Sequence, residues 1–376
     1  MTAHSNLTAT AKLGFGLMRL PLQGEAIDLA QLSRMADLFI QQGFSYFDTA
    51  YVYHGGKSET AFRQAVALRQ PRAAFTIADK LPAWELKQPA DVDRIFNEQL
   101  ERCGVSYFDF YLLHSINAGH LKIYEAMDCF KWGQDMKAQG KIRYFGFSFH
   151  DNAALLDQIL TKHPEVDFVQ LQINYFDWDN PAIDSRGCYE TARRHNKNIV
   201  IMEPVKGGVL AALPAPQQAR LRAVQPQWSD AAWALRFAGG LDGVIAVLSG
   251  MSERAQMEDN LRTMLQLRPL TAAEATALEQ VSLALRQTPT VGCTACRYCV
   301  DGCPEQIKIP DIIRVYNDFL VYGAQPQRQQ AAYRRITATA AGPASACIQC
   351  GQCESVCPQH LPVIDLMAQA ASVFEA

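Results

Sequence analysis

From Leu13 to about Leu265 short apolar runs rich in β-branched and aromatic residues alternate with longer stretches whose apolar residues recur every three or four positions. The short runs predict strands over 13–17, 45–48, 75–78, 108–113, 143–147, 168–171, 199–202 and 244–248. The longer ones predict helices over 29–41, 59–68, 91–101, 123–138 and 152–160, with Gly43, Gly104 and Gly140 placed to close three of them. Strand alternating with helix implies a parallel sheet wrapped by helices, and eight such strands favour a closed (β/α)8 barrel over an open doubly wound sheet. After the eighth strand, Thr271-x-x-Glu274 is a capping box that begins a helix reaching about Arg286, and the run 288–292 breaks it.

Composition changes the picture at the C-terminus. Of 11 cysteines in 376 residues, eight fall in the last quarter of the chain. Two domains are therefore expected, a barrel over 1–285 and a small, mainly helical cysteine domain over 286–376. In the second, Ile312, Ile313, Val315, Tyr316, Phe319 and Leu320 repeat at helical spacing. Residues 1–12 show no basic patch followed by an apolar run, so they do not read as a secretory signal, and no later stretch stays apolar long enough for a bilayer. A formal net charge of −3 offers no general attraction to nucleic acid or to an anionic membrane. A cytoplasmic protein with reduced thiols is expected, its partners a small-molecule carbonyl or alcohol substrate and a redox partner protein, with no nucleic acid and no membrane.

Four polar residues stand where a barrel performs chemistry, at or just beyond strand C-termini. Asp48 ends the second strand in Phe47-Asp48-Thr49-Ala50-Tyr51-Val52-Tyr53, Lys80 the third and His114 the fourth, and Tyr53 lies on the loop after Asp48. Reducing a carbonyl by hydride requires an acid for the developing alkoxide. A free tyrosine, with a pKa near 10, donates reluctantly at neutral pH. A neighbouring lysine ammonium favours the phenolate, a carboxylate holds the lysine, and a histidine aims the carbonyl. Each residue alone would be read as packing or capping; the ordered set reads as catalytic.

These residues, with Leu13-Gly14-Phe15-Gly16-Leu17-Met18-Arg19-Leu20-Pro21 and Asp109-Phe110-Tyr111-Leu112-Leu113-His114, resemble the aldo/keto reductase superfamily over roughly residues 11–265. The resemblance implies that Asp48, Tyr53, Lys80 and His114 form the catalytic tetrad and that hydride comes from NADP or NAD. It also implies that Ser148 and Gln170 hydrogen-bond the nicotinamide carboxamide. Met202 stands where the family usually stacks a Tyr, and Phe149 where an Asn usually follows the Ser. The phosphate-binding segment would be 247–260, with Ser249, Gly250, Arg254 and Asn260 as its candidates; Arg254 is its only cation, which leaves NADP, NAD or a flavin open. Trp84, Tyr175, Phe176 and Trp178 fall on loops after strands three and six, either at a substrate pocket or packed on the rim, and His150 reads as a polar rim residue.

The cysteine runs are Cys293-x2-Cys296-x2-Cys299-x3-Cys303-Pro304 and Cys347-x2-Cys350-x2-Cys353-x3-Cys357-Pro358. This is bacterial ferredoxin spacing, in which the fourth cysteine of each run serves the other cluster. One [4Fe-4S] cluster is expected on Cys293, Cys296, Cys299 and Cys357, and a second on Cys347, Cys350, Cys353 and Cys303. Zinc, the other metal that such thiols hold, prefers two-plus-two pairs. Cys103, Cys129 and Cys188 have no ligand spacing and read as small apolar residues. Such tails follow the barrel in one branch of the aldo/keto reductases, which the whole chain resembles. Two functions stay open: an NAD(P)-dependent oxidoreductase that reduces a carbonyl or oxidises the alcohol by hydride transfer and whose clusters transfer electrons or gate the site, and an electron-transfer or redox-sensing module whose barrel binds nucleotide, flavin or protein without carbonyl turnover.

Overall fold

In the computed structural model, the described residues are 11–287, 290–322, 326–338 and 341–375. The reading of residues 1–10 and the helix break at Thr288 and Pro289 lie outside them. Eight parallel strands close into a barrel: β1 Leu13–Gly16, β2 Tyr46–Asp48, β3 Thr76–Pro82, β4 Phe108–Ile116, β5 Ile142–Phe149, β6 Phe168–Gln172, β7 Asn198–Met202 and β8 Val244–Gly250. Each pairs with its sequence neighbours, and β1 pairs with β8 to close the ring. All eight predicted strands are present. The two-stranded hairpin of Leu22–Gln23 and Ala26–Ile27 was not predicted, because two residues per strand carry no periodic signal.

Strand alternation divides the side chains into two layers. Tyr46, Ala78, Phe110, Leu112, Phe168 and Leu248 pack together inside the barrel. Their chain neighbours, among them Phe47, Tyr111, Leu113, Val169 and Val247, pack outward against the helices. The period of two then places Asp48, Lys80, His114, Gln170 and Met202 on the inward face, each one or two steps beyond an interior apolar residue and nearer the C-terminal end of its strand.

The helix Leu29–Gln41 has its predicted bounds, buries Leu32, Met35, Ala36 and Phe39, and begins where Asp28 accepts a hydrogen bond from the Gln31 amide. Ala90–Cys103 ends at Gly104 in the left-handed conformation, which glycine adopts without a Cβ penalty. The single helix expected over 123–138 is instead two, Ala118–Ala126 and Cys129–Ala138. Asn117 caps the first a turn earlier than predicted, and Asp128 at φ 51° breaks the path between them. The helix expected over 59–68 is an α-helical Ser58–Phe62 that widens into a π turn, Arg63–Ala67. Strands β3 and β4 run two residues past Lys80 and His114, so both side chains project from strands and not from loops.

Internal contacts divide the chain into two units, one up to 205 with 222–276, the other 206–221 with 277 onward. In the second, the helices Ile309–Tyr322, Pro326–Thr337 and Val363–Phe374 enclose a core of Ile312, Ile313, Tyr333, Leu366, Met367 and Phe374. The capping box forms as predicted at the start of Ala272–Arg286: the Thr271 amide donates to Glu274 Oε2 at 2.8 Å and the Glu274 amide to Thr271 Oγ1 at 3.3 Å. Among the described residues no helix is long and apolar enough to cross a membrane.

Candidate active site and cysteine cavities

At the C-terminal ends of β2, β3 and β4 the inward polar side chains meet. Lys80, fully buried, donates from Nζ to Asp48 Oδ1 at 2.7 Å and to the Thr49 carbonyl at 2.5 Å. Tyr53 lies in the turn after β2, held by its amide donating to the Ala50 carbonyl at 3.0 Å, and its ring centre is 5.0 Å from Lys80 Nζ. The His114 ring stands 6.2 Å from that of Tyr53, nearly edge-on. All four predicted tetrad residues therefore come together. Burial pushes the Asp48 carboxyl up while the Lys80 ammonium opposes the shift. Burial, followed by Lys80, His150 and His120, pulls the His114 imidazole well below its ordinary value, so it is neutral at pH 7.

Several residues that fix this geometry escaped the sequence reading. Tyr124, fully buried, donates to both the Leu81 and His114 carbonyls, at 2.6 and 2.8 Å, and so ties β3 to β4 beside the site. Behind Lys80, on the outward face of β3, Asp79 accepts from the Lys80 amide and from Gln99 Nε2, each at 2.8 Å, and Gln99 also donates to the Lys80 carbonyl at 3.0 Å. Both peptide groups of Lys80 are thus held. Asp79, Glu59 and Cys103 are fully buried, with a polar atom of each within 4.8 Å of the others. Burial, then Glu59, pushes the Asp79 carboxyl well above its ordinary range, and burial also raises Glu59. An acidic residue at an outward, helix-facing strand position was the available signal.

Of the pocket aromatics, Trp84 belongs to the site, its ring 5.1 Å from that of His114 and 5.4 Å from that of His120. Tyr175 and Trp178 pack on Phe237 instead, and Phe176 lies between them, half-buried. His150 is no mere rim residue electrostatically, since it helps to hold His114 neutral.

Ser148 and Gln170 are register partners on β5 and β6. The Ser148 hydroxyl oxygen accepts from the Ser115 amide at 2.7 Å, and Gln170 Nε2 lies 3.5 Å from Met202 Sδ. Gln170 Oε1 is buried and has no hydrogen-bond partner among the described residues. Such an acceptor is costly to bury unless a ligand donates to it, so the pair fits a planar carboxamide. The phosphate candidates divide. Asn260 Nδ2 donates to Ser249 Oγ at 3.0 Å, both buried, tying β8 to the helix Arg254–Leu265. Arg254 is exposed and paired with Glu258 at 2.7 Å. Gly250 lies against Arg19 of the first loop, where an added Cβ would come 3.2 Å from the Arg19 Cβ.

In the second unit, one cavity is lined by Cys293, Cys296, Cys299 and Cys357, and another by Cys347, Cys350, Cys353 and Cys303. The fourth cysteine of each run crosses to the other cavity, as the spacing predicted. Burial, then the neighbouring cysteines, pushes the Cys299 thiol far up, and burial raises that of Cys353 to about 11. Four converging thiols with a raised cost of ionisation fit a polynuclear cation, which reverses that cost by binding thiolate. Cys103, Cys129 and Cys188 are buried in the barrel unit, outside both sets.

Comparison with known proteins agrees with both halves. Residues 292–362 match the 4Fe-4S dicluster domain and residues 12–283 the Aldo/keto reductase family. An uncharacterized oxidoreductase of Bacillus subtilis, YqkF, is 23% identical over 278 residues, 65% of this chain and 85% of its own. Two solved structures share the barrel: the holo form of aldo-keto reductase AKR11C1 from Bacillus halodurans (22% identity, TM-score 0.57, 72% of this chain and 91% of that one), and an aldo-keto reductase from Klebsiella pneumoniae in complex with NADPH (18%, 0.58, 72% and 90%). With its family match running through all eight strands, the chain belongs to the aldo/keto reductase family and carries a C-terminal 4Fe-4S dicluster domain.

Proposed function

We propose that the barrel, over residues 1–285, reduces a carbonyl or oxidises the corresponding alcohol with NAD(P)H, and that residues 286–376 hold two [4Fe-4S] clusters on the crossed cysteine sets. The observation that carries the reading is the buried Lys80–Asp48 ion pair beneath the Tyr53 ring. In the reduction, a bound nicotinamide supplies the hydride to the carbonyl carbon. Tyr53 gives its phenolic proton to the carbonyl oxygen, and the Lys80 ammonium favours the phenolate left behind. Neutral His114 orients the carbonyl by hydrogen bonding, and Trp84 walls the same side. Ser148 and Gln170 would hold the carboxamide, with Met202 beside Gln170. Gly250, packed against the Arg19 side chain, and the first turn of Arg254–Leu265 would receive the phosphates. Ser249 and Asn260 position that turn.

A nicotinamide moves two electrons together and a cubane one, so the clusters exchange electrons singly with a separate carrier. The pairing of Arg254 with Glu258 engages the cation of the phosphate segment and favours one second reading, a barrel that binds a partner protein without carbonyl turnover. Turnover of generic aldehydes with NADPH and NADH by anaerobically purified protein separates the two. Tyr53→Phe is expected to lower kcat about 10²- to 10⁴-fold at unchanged cofactor affinity. Equal rates in wild type and variant would overturn the reductase reading.

A further inference from the structure

The two cysteine cavities differ in their charged surroundings. Among the described residues, Arg297, ion-paired with Asp311 at 3.1 Å, is the only charged residue lining the Cys293 cavity, and Glu305 the only one lining the Cys347 cavity. A second cation approaches the first cavity from residues 206–221, which belong to the same unit. Lys206 is buried, and its Nζ donates to Gln359 Oε1 at 3.2 Å; Gln359 lines that cavity two residues after Cys357. An added Cβ on Gly292, next to Cys293, would come 3.7 Å from the same Nζ. The ammonium therefore touches both chain segments that deliver ligands there, the one entering at Cys293 and the one leaving Cys357. The backbone locks the approach. Gly207 at φ 65° abuts Thr294, whose carbonyl oxygen would sit 2.4 Å from any added Cβ, so only glycine fits beside Lys206.

We propose that the two clusters have unequal reduction potentials and that Lys206 is a positioning cation that raises the potential of the cluster on Cys293, Cys296, Cys299 and Cys357. The inference rests on reading the two cysteine sets as cluster ligands. Each cluster takes one electron from an external low-potential reductant, with no bond made or broken, and its net charge becomes one unit more negative. A buried cation nearby stabilises the reduced form and an anion destabilises it. The electron settles on the Cys293 set, and the Cys347 set, beside Glu305, is the stronger donor.

The test is a dithionite titration of the anaerobic holoprotein followed by low-temperature EPR, with iron counted in every sample. Wild type is expected to hold about eight irons per chain and to reduce in two one-electron steps. Lys206→Gln is expected to shift only the more positive step downward, lowering its reduced-to-oxidised ratio about tenfold at the wild-type midpoint, about 59 mV for one electron. Lys206→Arg restores it, and Glu305→Gln moves only the more negative step, upward. If Lys206→Gln, iron retained, leaves the upper step in place or moves both equally, the inference falls while the clusters stand. If Lys206→Gln loses iron, the Glu305→Gln arm decides, an unmoved lower step overturning the inference. Wild type with fewer than two clusters removes the reading and the inference together.

Discussion

The barrel site and the cysteine cavities solve opposite problems. In the barrel, Asp48, Lys80 and His114 come from separate strands: the ammonium has its carboxylate, and a tyrosine braces the histidine strand. Closure of the sheet makes that site, and a large apolar layer between strands and helices stabilises the closure. In the second unit the cysteines arrive already grouped by spacing, burial and the neighbouring cysteines push the Cys299 thiol up, and the core around them is small. The fold makes the first site, whereas the second site must help to make its fold.

Removing the iron tests this contrast most severely. Anaerobic chelation is expected to abolish hydrogen-exchange protection in Ile309–Tyr322 and Val363–Phe374 while leaving β4 and β5 protected. Equal protection in both units after chelation would erase the distinction. Within the barrel, Lys80→Met leaves the Asp48 charge buried without its partner and is expected to destabilise the unit by about 3–5 kcal/mol in urea unfolding. A loss below about 1 kcal/mol would mean that the pair is not a mainstay of the site.

Glu274 offers a smaller test at the end of the barrel unit. The Arg268 guanidinium, bonded at 2.6 Å, holds its carboxyl down at about 2, so its stabilisation is whole above the ordinary carboxylate range and is lost as pH falls from about 4.5 toward 2. Glu274→Gln should cost about 1 kcal/mol at pH 7, and the gap from wild type should shrink at pH 3; a constant gap contradicts the ion-pair account. Smallest of all, Cys188→Ser should change stability by less than about 1 kcal/mol and leave iron content unchanged. Burial pushes that thiol up to about 12, and it lies in neither cavity.

The tetrad was legible because three members sit at the ends of apolar runs and Tyr53 follows one of them on a short loop, and both cysteine sets were legible because their spacing is itself geometric. Asp79 and Tyr124 were not, since their roles depend on which helix covers β3 and which carbonyls end β3 and β4. Arg19 and Lys206 lie in irregular segments, where no periodicity predicts direction. The split of 123–138 into two helices turned on one left-handed residue, Asp128, which apolar spacing does not register.

The sequence by itself determined the number of strands, the inward parity of the working side chains and the crossed grouping of the thiols, because these follow from local periods of two and 3.6 and from fixed ligand spacing. Only the tertiary structure decided which polar groups would face one another: the buried carboxyl pair behind Lys80, the neutral state of His114 and the cation beside one cysteine set. Desolvation and Coulomb interaction depend on distances between residues far apart in the chain, and no local pattern encodes those distances.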